Sequence, residues 1–189
     1  MIQANTSQQS KGLLGAIRSF NGIEIVTIAV FAVLFRVSMF PYRITSAIFP
    51  FNIFIRFFFD VLLGALAVTI IRKKGVLTSY VLVWWLINYV VEGEDLVWLI
   101  GMWPPIILGE WFLGRQEPYG GNRTNVVLGV GLLYGVLFAA IYWVYLLTYY
   151  QLSYSIPVIL GSFALILVAC VLGGYLGSVF GERLRPLLD

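Results

Sequence analysis

The chain has 189 residues, of which 60% are Ala, Val, Ile, Leu, Met, Phe, Trp, Tyr or Cys, 19 are glycine and only 11% are charged, for a net charge of +3. A soluble domain is about 45–50% apolar or glycine and about 25% charged, and a soluble sphere of this size cannot hide so much apolar surface, so the composition is that of an integral membrane protein. The absence of histidine and the single cysteine, Cys170, exclude haem, the usual copper and zinc sites, a Ser-His-Asp hydrolase, a disulfide framework and an iron–sulfur centre.

In chain order, residues 1–22 are polar and rich in Gln, Ser and Asn, without an apolar run leading to a small-residue cleavage site. This predicts a retained cytoplasmic tail, its stretch Lys11 to Arg18 either solvated or lying in the membrane interface. Six apolar segments follow at Ile23–Phe40, Ile53–Ile71, Val76–Val91, Leu96–Leu113, Val126–Tyr149 and Ser155–Val179. Each is long enough, or nearly so, for a hydrocarbon core that takes about 20 helical residues. Continuous apolar runs, without the alternation of a barrel, predict helices throughout. The expected fold is therefore an all-α six-helix transmembrane bundle over residues 23–182, with a short tail at 183–189.

Basic residues give the orientation. With the N-terminus inside, Lys11, Arg18, Arg72, Lys73, Lys74, Arg115, Arg123, Arg183 and Arg185 are cytoplasmic and only Arg36, Arg43 and Arg56 are not. This nine-to-three split predicts that both termini are cytoplasmic in a multi-pass protein of the cell membrane.

Aromatic residues are unevenly shared between the leaflets. Trp84, Trp85, Trp98, Trp103, Trp143 and most tyrosines fall in the outer half, against Trp111, Tyr80, Tyr119 and Tyr175 in the inner half. They are either a headgroup belt or rings facing a cavity. On the second reading Trp84, Asn88, Trp103, Tyr142 and Tyr145 line a substrate site, with Glu92 or Glu94 as the charge partner of a flat or cationic molecule. The segment Pro41 to Phe51 would close over it, and Pro104-Pro105 would kink the fourth helix beside it. The run Glu92-Gly93-Glu94-Asp95 is alternatively a solvated loop.

Arg56 and Asp60, four apart on the second helix, form an intramembrane ion pair that is either structural or a ligand or gating contact. Gly173, Gly177 and Gly181 recur every fourth residue, the pattern of close helix approach, serving internal packing or the docking of another subunit.

The stretch from Asp60 to Leu77, DVLLGALAVTIIRKKGVL, and the finish from Gly173 to Leu184, GGYLGSVFGERL, resemble the substrate-binding S components of energy-coupling factor vitamin transporters, in particular the thiamine-precursor branch. The Ala-x-x-x-Ala docking motif of that family's first helix is not reproduced, since Ala29 is followed by Ala32 and Val33. The resemblance implies a substrate-capture subunit that binds a vitamin or precursor near the outer surface. It also implies partners: a membrane coupling subunit and separate cytoplasmic ATPases. The alternative is a non-catalytic structural subunit of a larger membrane complex. In either case the lipid bilayer is a partner, and no enzyme activity, cofactor, metal or nucleic acid is expected.

Overall fold

A computed structural model describes residues 20–44, 51–93, 96–149, 151 and 153–187. Six helices account for nearly all of them: α1 Gly22–Ile44, α2 Phe51–Ile71, α3 Val76–Glu92, α4 Leu96–Gly114, α5 Arg123–Thr148 and α6 Ile156–Leu184, followed by a 3-10 turn, Arg185–Leu187. Five are long and apolar enough to cross a membrane, and α3 is a shorter apolar helix. At 1.5 Å per residue the 17 residues of α3 span about 26 Å, slightly less than a hydrocarbon core of about 30 Å. All six predicted segments are helical. The tail at 1–19 and residues 45–50 of the segment proposed to close over the site lie outside the described residues.

Two helices run further than their sequence signals suggested. Helix α1 continues through Pro41 to Ile44, so the proline does not end it. Helix α6 continues past Val179 to Leu184, and its 29 residues, about 44 Å long, carry Glu182 and Arg183 beyond an apolar core of ordinary thickness. The Pro104-Pro105 pair likewise sits inside a helix that runs unbroken from Leu96 to Gly114.

Helix ends have identifiable causes. At the start of α1, Asn21 Oδ1 accepts from the Glu24 N–H while Glu24 Oε2 accepts from the Asn21 N–H, both at 2.8 Å, a reciprocal capping box. Asn122 caps α5 by accepting from the Asn125 N–H. Gly75 and Gly93, at φ 92° and 69°, hold the left-handed conformations that bracket α3.

The core is built around α2, almost every residue of which from Asp60 onward is buried. Its most extensive contact is with α6, where the glycine stripe lies against the α2 backbone. A Cβ on Gly173 would come within 2.7 Å of the Phe58 carbonyl oxygen, one on Gly177 would collide with the Leu62 carbonyl, and one on Gly181 would meet the Thr69 side chain at 2.7 Å. The stripe is thus filled from within the bundle. Helix α5 closes in by the same device, since a Cβ on Gly131 would stand 2.9 Å from the Cys170 carbonyl. Ten residues of α5, Val127–Val136, are wound as a π-helix, a form seldom seen beyond a single turn.

The outward faces are apolar. On α1 the exposed residues include Ile23, Val26, Val30, Val33 and Leu34, and on α6 Leu160, Leu167, Val171 and Leu172. Apolar faces of this extent are stable in lipid and not in water, so the chain is a multi-pass integral membrane protein.

Each end of the bundle has its own chemistry. At the basic end Lys73 Nζ pairs with Glu24 at 2.8 Å and Arg123 with Glu182 at 2.6 Å, which gathers the start of α1, the α2–α3 turn, the start of α5 and the end of α6. At the aromatic end Arg36 meets Asn88, Trp98 packs on Tyr145, and Trp143 packs on Tyr154.

Candidate functional site

Aromatic packing dominates the aromatic end. The Trp84 ring lies 5.0 Å from Phe35 and 6.5 Å from Phe138, while Trp98 stacks on Tyr142 at 5.5 Å and meets Tyr145 at 4.3 Å. Phe57 bridges to Phe138 and Tyr142 from α2. Trp84, Trp85, Trp98, Trp143, Tyr142 and Tyr145 are all buried, so these rings form an interior cluster, and among the described residues at this end Tyr89 and Tyr149 keep the exposure of a belt. Edge-to-face and offset contacts of this kind fix ring orientation as well as burying area.

Of the residues expected to line a substrate site, Trp84 and Asn88 come together near Arg36, whose Nη1 donates to Asn88 Oδ1 at 3.4 Å. Tyr142 and Tyr145 come together instead around Trp98, and Arg56 places its guanidinium 5.1 Å from the Tyr142 ring centroid, a cation–π contact. Trp103 is half-buried on α4. The Glu92 side chain and all of Glu94 and Asp95 lie outside the described residues.

Space at this end lies against α1. A space of about 340 Å³, open to the surface, has Arg36, Val37, Met39 and Phe40 in its wall. Sequence reasoning centred the site on α3 to α6. The sequence feature that marks this space is Arg36, a cation within an apolar helix whose next turn supplies Met39 and Phe40.

Below the aromatic cluster, the Asp60 carboxylate is 1% exposed and accepts the Tyr134 hydroxyl at Oδ2, 2.8 Å away, and the Tyr80 hydroxyl at Oδ1, 3.3 Å away. Arg56 stands one turn along α2, within electrostatic range. Three helices thus meet on one buried carboxylate, and Tyr134 reaches it from the π-wound stretch of α5. Tyr80, assigned from sequence to the inner belt, is fully buried in this contact.

Tyr119, also assigned to the inner belt, is buried as well, and its hydroxyl donates to Glu110 at 2.7 Å. Glu110, on α4, further accepts from the Gly75 and Thr78 N–H groups and the Thr78 hydroxyl. Gly75 has no side chain with which to cap α3, so a carboxylate from another helix occupies the positive end of the helix dipole. Burial, and after it the neighbouring Glu110 charge, push the Tyr119 phenol well above its ordinary range. Trp111 and Tyr175, at 53% and 47% exposed, are the inner-half rings that do face outward.

Among the described residues no three Cys, Asp or Glu side chains are grouped to hold a metal ion, and Cys170 is free and buried. Comparison with models of known families, with curated proteins and with solved structures found no match. The resemblance to vitamin-transporter S components therefore rests on the two quoted stretches alone, beside an all-helical, multi-pass membrane fold.

Proposed function

We propose that the chain is the solute-capture subunit of a membrane importer, holding a small aromatic, vitamin-like molecule at the aromatic end and passing it to a coupling subunit driven by separate cytoplasmic ATPases. The observation that carries this reading is the open space of about 340 Å³ beside Arg36, whose cation is tied to the buried Asn88 and adjoins the Trp84–Phe35 pair. A concave, largely apolar space with a few fixed polar groups is the usual form of a small-molecule site. In this arrangement Arg36 orients a polar substituent, Met39 and Phe40 cover an apolar ring, and Glu92 or Glu94 serves a cationic substituent. The mouth at the aromatic end faces outward on the distribution of basic residues. The glycine stripe is occupied by α2, which leaves the structural-subunit alternative without the docking face that favoured it.

Titration of the purified chain with a panel of water-soluble vitamins and their precursors, followed by tryptophan fluorescence, tests the reading. At least one compound is expected to change the emission at micromolar or lower concentration. Arg36→Ala should weaken that response at least tenfold with the helical circular dichroism unchanged. A panel without any response, or an Arg36→Ala variant that binds like the parent, overturns the proposal.

A further inference from the structure

At the basic end, opposite the proposed solute site, the cations are used unequally. Lys73 is paired with Glu24 and Arg123 with Glu182, and Arg72 lines the same space as that second pair. Lys74 and Arg115 are both exposed, and among the described residues neither is paired with a carboxylate. Glu110, one turn before Gly114 on α4, is turned inward onto Gly75, Thr78 and Tyr119, and Glu117 makes no ion pair with Arg115.

Both cations flank Trp111. The Arg115 guanidinium lies 3.8 Å over the Trp111 ring, and Lys74 reaches the same end of α4, where a Cβ on Gly114 would stand 3.9 Å from its Cε. At about 100° per residue Gly114 and Arg115 fall on either side of Trp111, so the half-exposed indole stands between the two positive groups. Along the same face of α4, Val97, Ile100, Ile107 and Leu108 form an exposed apolar stripe. The 19 residues of α4 span about 28 Å, close to a hydrocarbon core of about 30 Å, so Arg115, the next residue, stands at its edge.

A guanidinium stacked on an indole face keeps its in-plane N–H donors available to a second partner. At this depth that partner is an anion of the headgroup layer, where basic residues attract anionic lipid. We infer that Lys74, Trp111 and Arg115 form a binding site for an anionic phospholipid, its phosphate between the two cations and one acyl chain along Ile107 and Leu108. An acidic segment of a partner protein would use the cations and leave the stripe uncovered; a phospholipid meets both.

Native mass spectrometry of the full chain in mild detergent, titrated with phosphatidylglycerol or with phosphatidylcholine of the same acyl chains, tests the assignment. Phosphatidylglycerol is expected to be retained at concentrations at least fivefold lower than phosphatidylcholine. The paired Lys74→Gln and Arg115→Gln changes should remove that preference and leave retention at the phosphatidylcholine level. Both side chains are exposed, so the variant should keep the parent's melting temperature. Arg183→Gln, a loss of charge at the end of α6, should leave the preference intact. Trp111→Ala, which removes the platform under the guanidinium, should weaken phosphatidylglycerol retention at least threefold. Equal retention of the two lipids, a preference that survives the double change, a loss as large in Arg183→Gln as in the double variant, or a concentration-dependent dimer that Trp111→Ala dissolves would each overturn the site.

Discussion

Asp60 and Glu110 are two carboxylates on different helices of one bundle, each accepting a tyrosine hydroxyl, yet their surroundings differ in kind. Glu110 takes two backbone N–H groups, a threonine hydroxyl and the Tyr119 hydroxyl, and so completes the start of α3. Asp60 is met by the Tyr80 and Tyr134 side chains, with Arg56 one turn away. A carboxylate that caps a helix answers a need of the fold, because orphan N–H groups in an apolar medium must be satisfied. A carboxylate deep in the bundle that is held by side chains from other helices answers no backbone need. It links α2, α3 and α5 below the aromatic cluster, and its partner Arg56 reaches back to Tyr142.

The largest effect that sharpens this contrast belongs to Asp60→Ala. Removing the anion takes the acceptor from two buried hydroxyls, Tyr80 and Tyr134, and a buried polar group left unsatisfied costs about 1–3 kcal/mol, so about 2–6 kcal/mol for the two. Unfolding in detergent should show a loss in that range, and a loss below about 1 kcal/mol would mean that the interior does not feel the charge. Gly177→Leu comes next, since its side chain collides with the Leu62 carbonyl and separates α6 from the helix that carries Asp60. Overpacking of this kind destabilises by about 1–3 kcal/mol or more, readable as a lower melting temperature.

Glu110→Ala leaves the start of α3 uncapped and should cost about 1.5–3 kcal/mol, the range for hydrogen bonds to a charged group. Glu110→Gln keeps an acceptor and should recover part of that stability. A Gln variant as unstable as the Ala variant would show that the charge at the helix dipole, rather than the hydrogen bonds, does the capping. The smallest effect is alkaline. Because the folded-state value of the Tyr119 phenol is raised, its contribution is fully present below about pH 10, the unfolded value, and declines as pH rises beyond it. Tyr119→Phe should flatten that decline in a pH series of unfolding midpoints, and an identical decline in both proteins would assign it to other groups.

How much of this was legible in the sequence follows from how local each signal is. The helices were, because each apolar run is its own evidence, and so was the close approach at Gly173, Gly177 and Gly181, though not which helix would fill it. Arg56 and Asp60 were flagged because two charges stand out in an apolar segment. Their tyrosine partners were not, since Tyr80 and Tyr134 lie 20 and 74 residues from Asp60 and nothing local ties them to it. Glu110 looked like an isolated acid for the same reason, as its role depends on a helix start 35 residues earlier. The cavity beside Arg36 was missed because aromatic density pointed to α3 through α6, where the rings fill one another's space. The Asn21–Glu24 capping box was local and readable, and only its proximity to Lys73 required the fold.

Capture of a solute from outside requires the aromatic end, with its Arg36 cavity, to face outward while the basic end faces the cytoplasm. Single cysteines placed at Ser153 and at Lys74, in a Cys170→Ala background and in intact cells, test this directly with a membrane-impermeant thiol reagent. Ser153→Cys should label in intact cells and Lys74→Cys only after permeabilisation. The reverse pattern would turn the cavity toward the cytoplasm and contradict capture of a solute from outside.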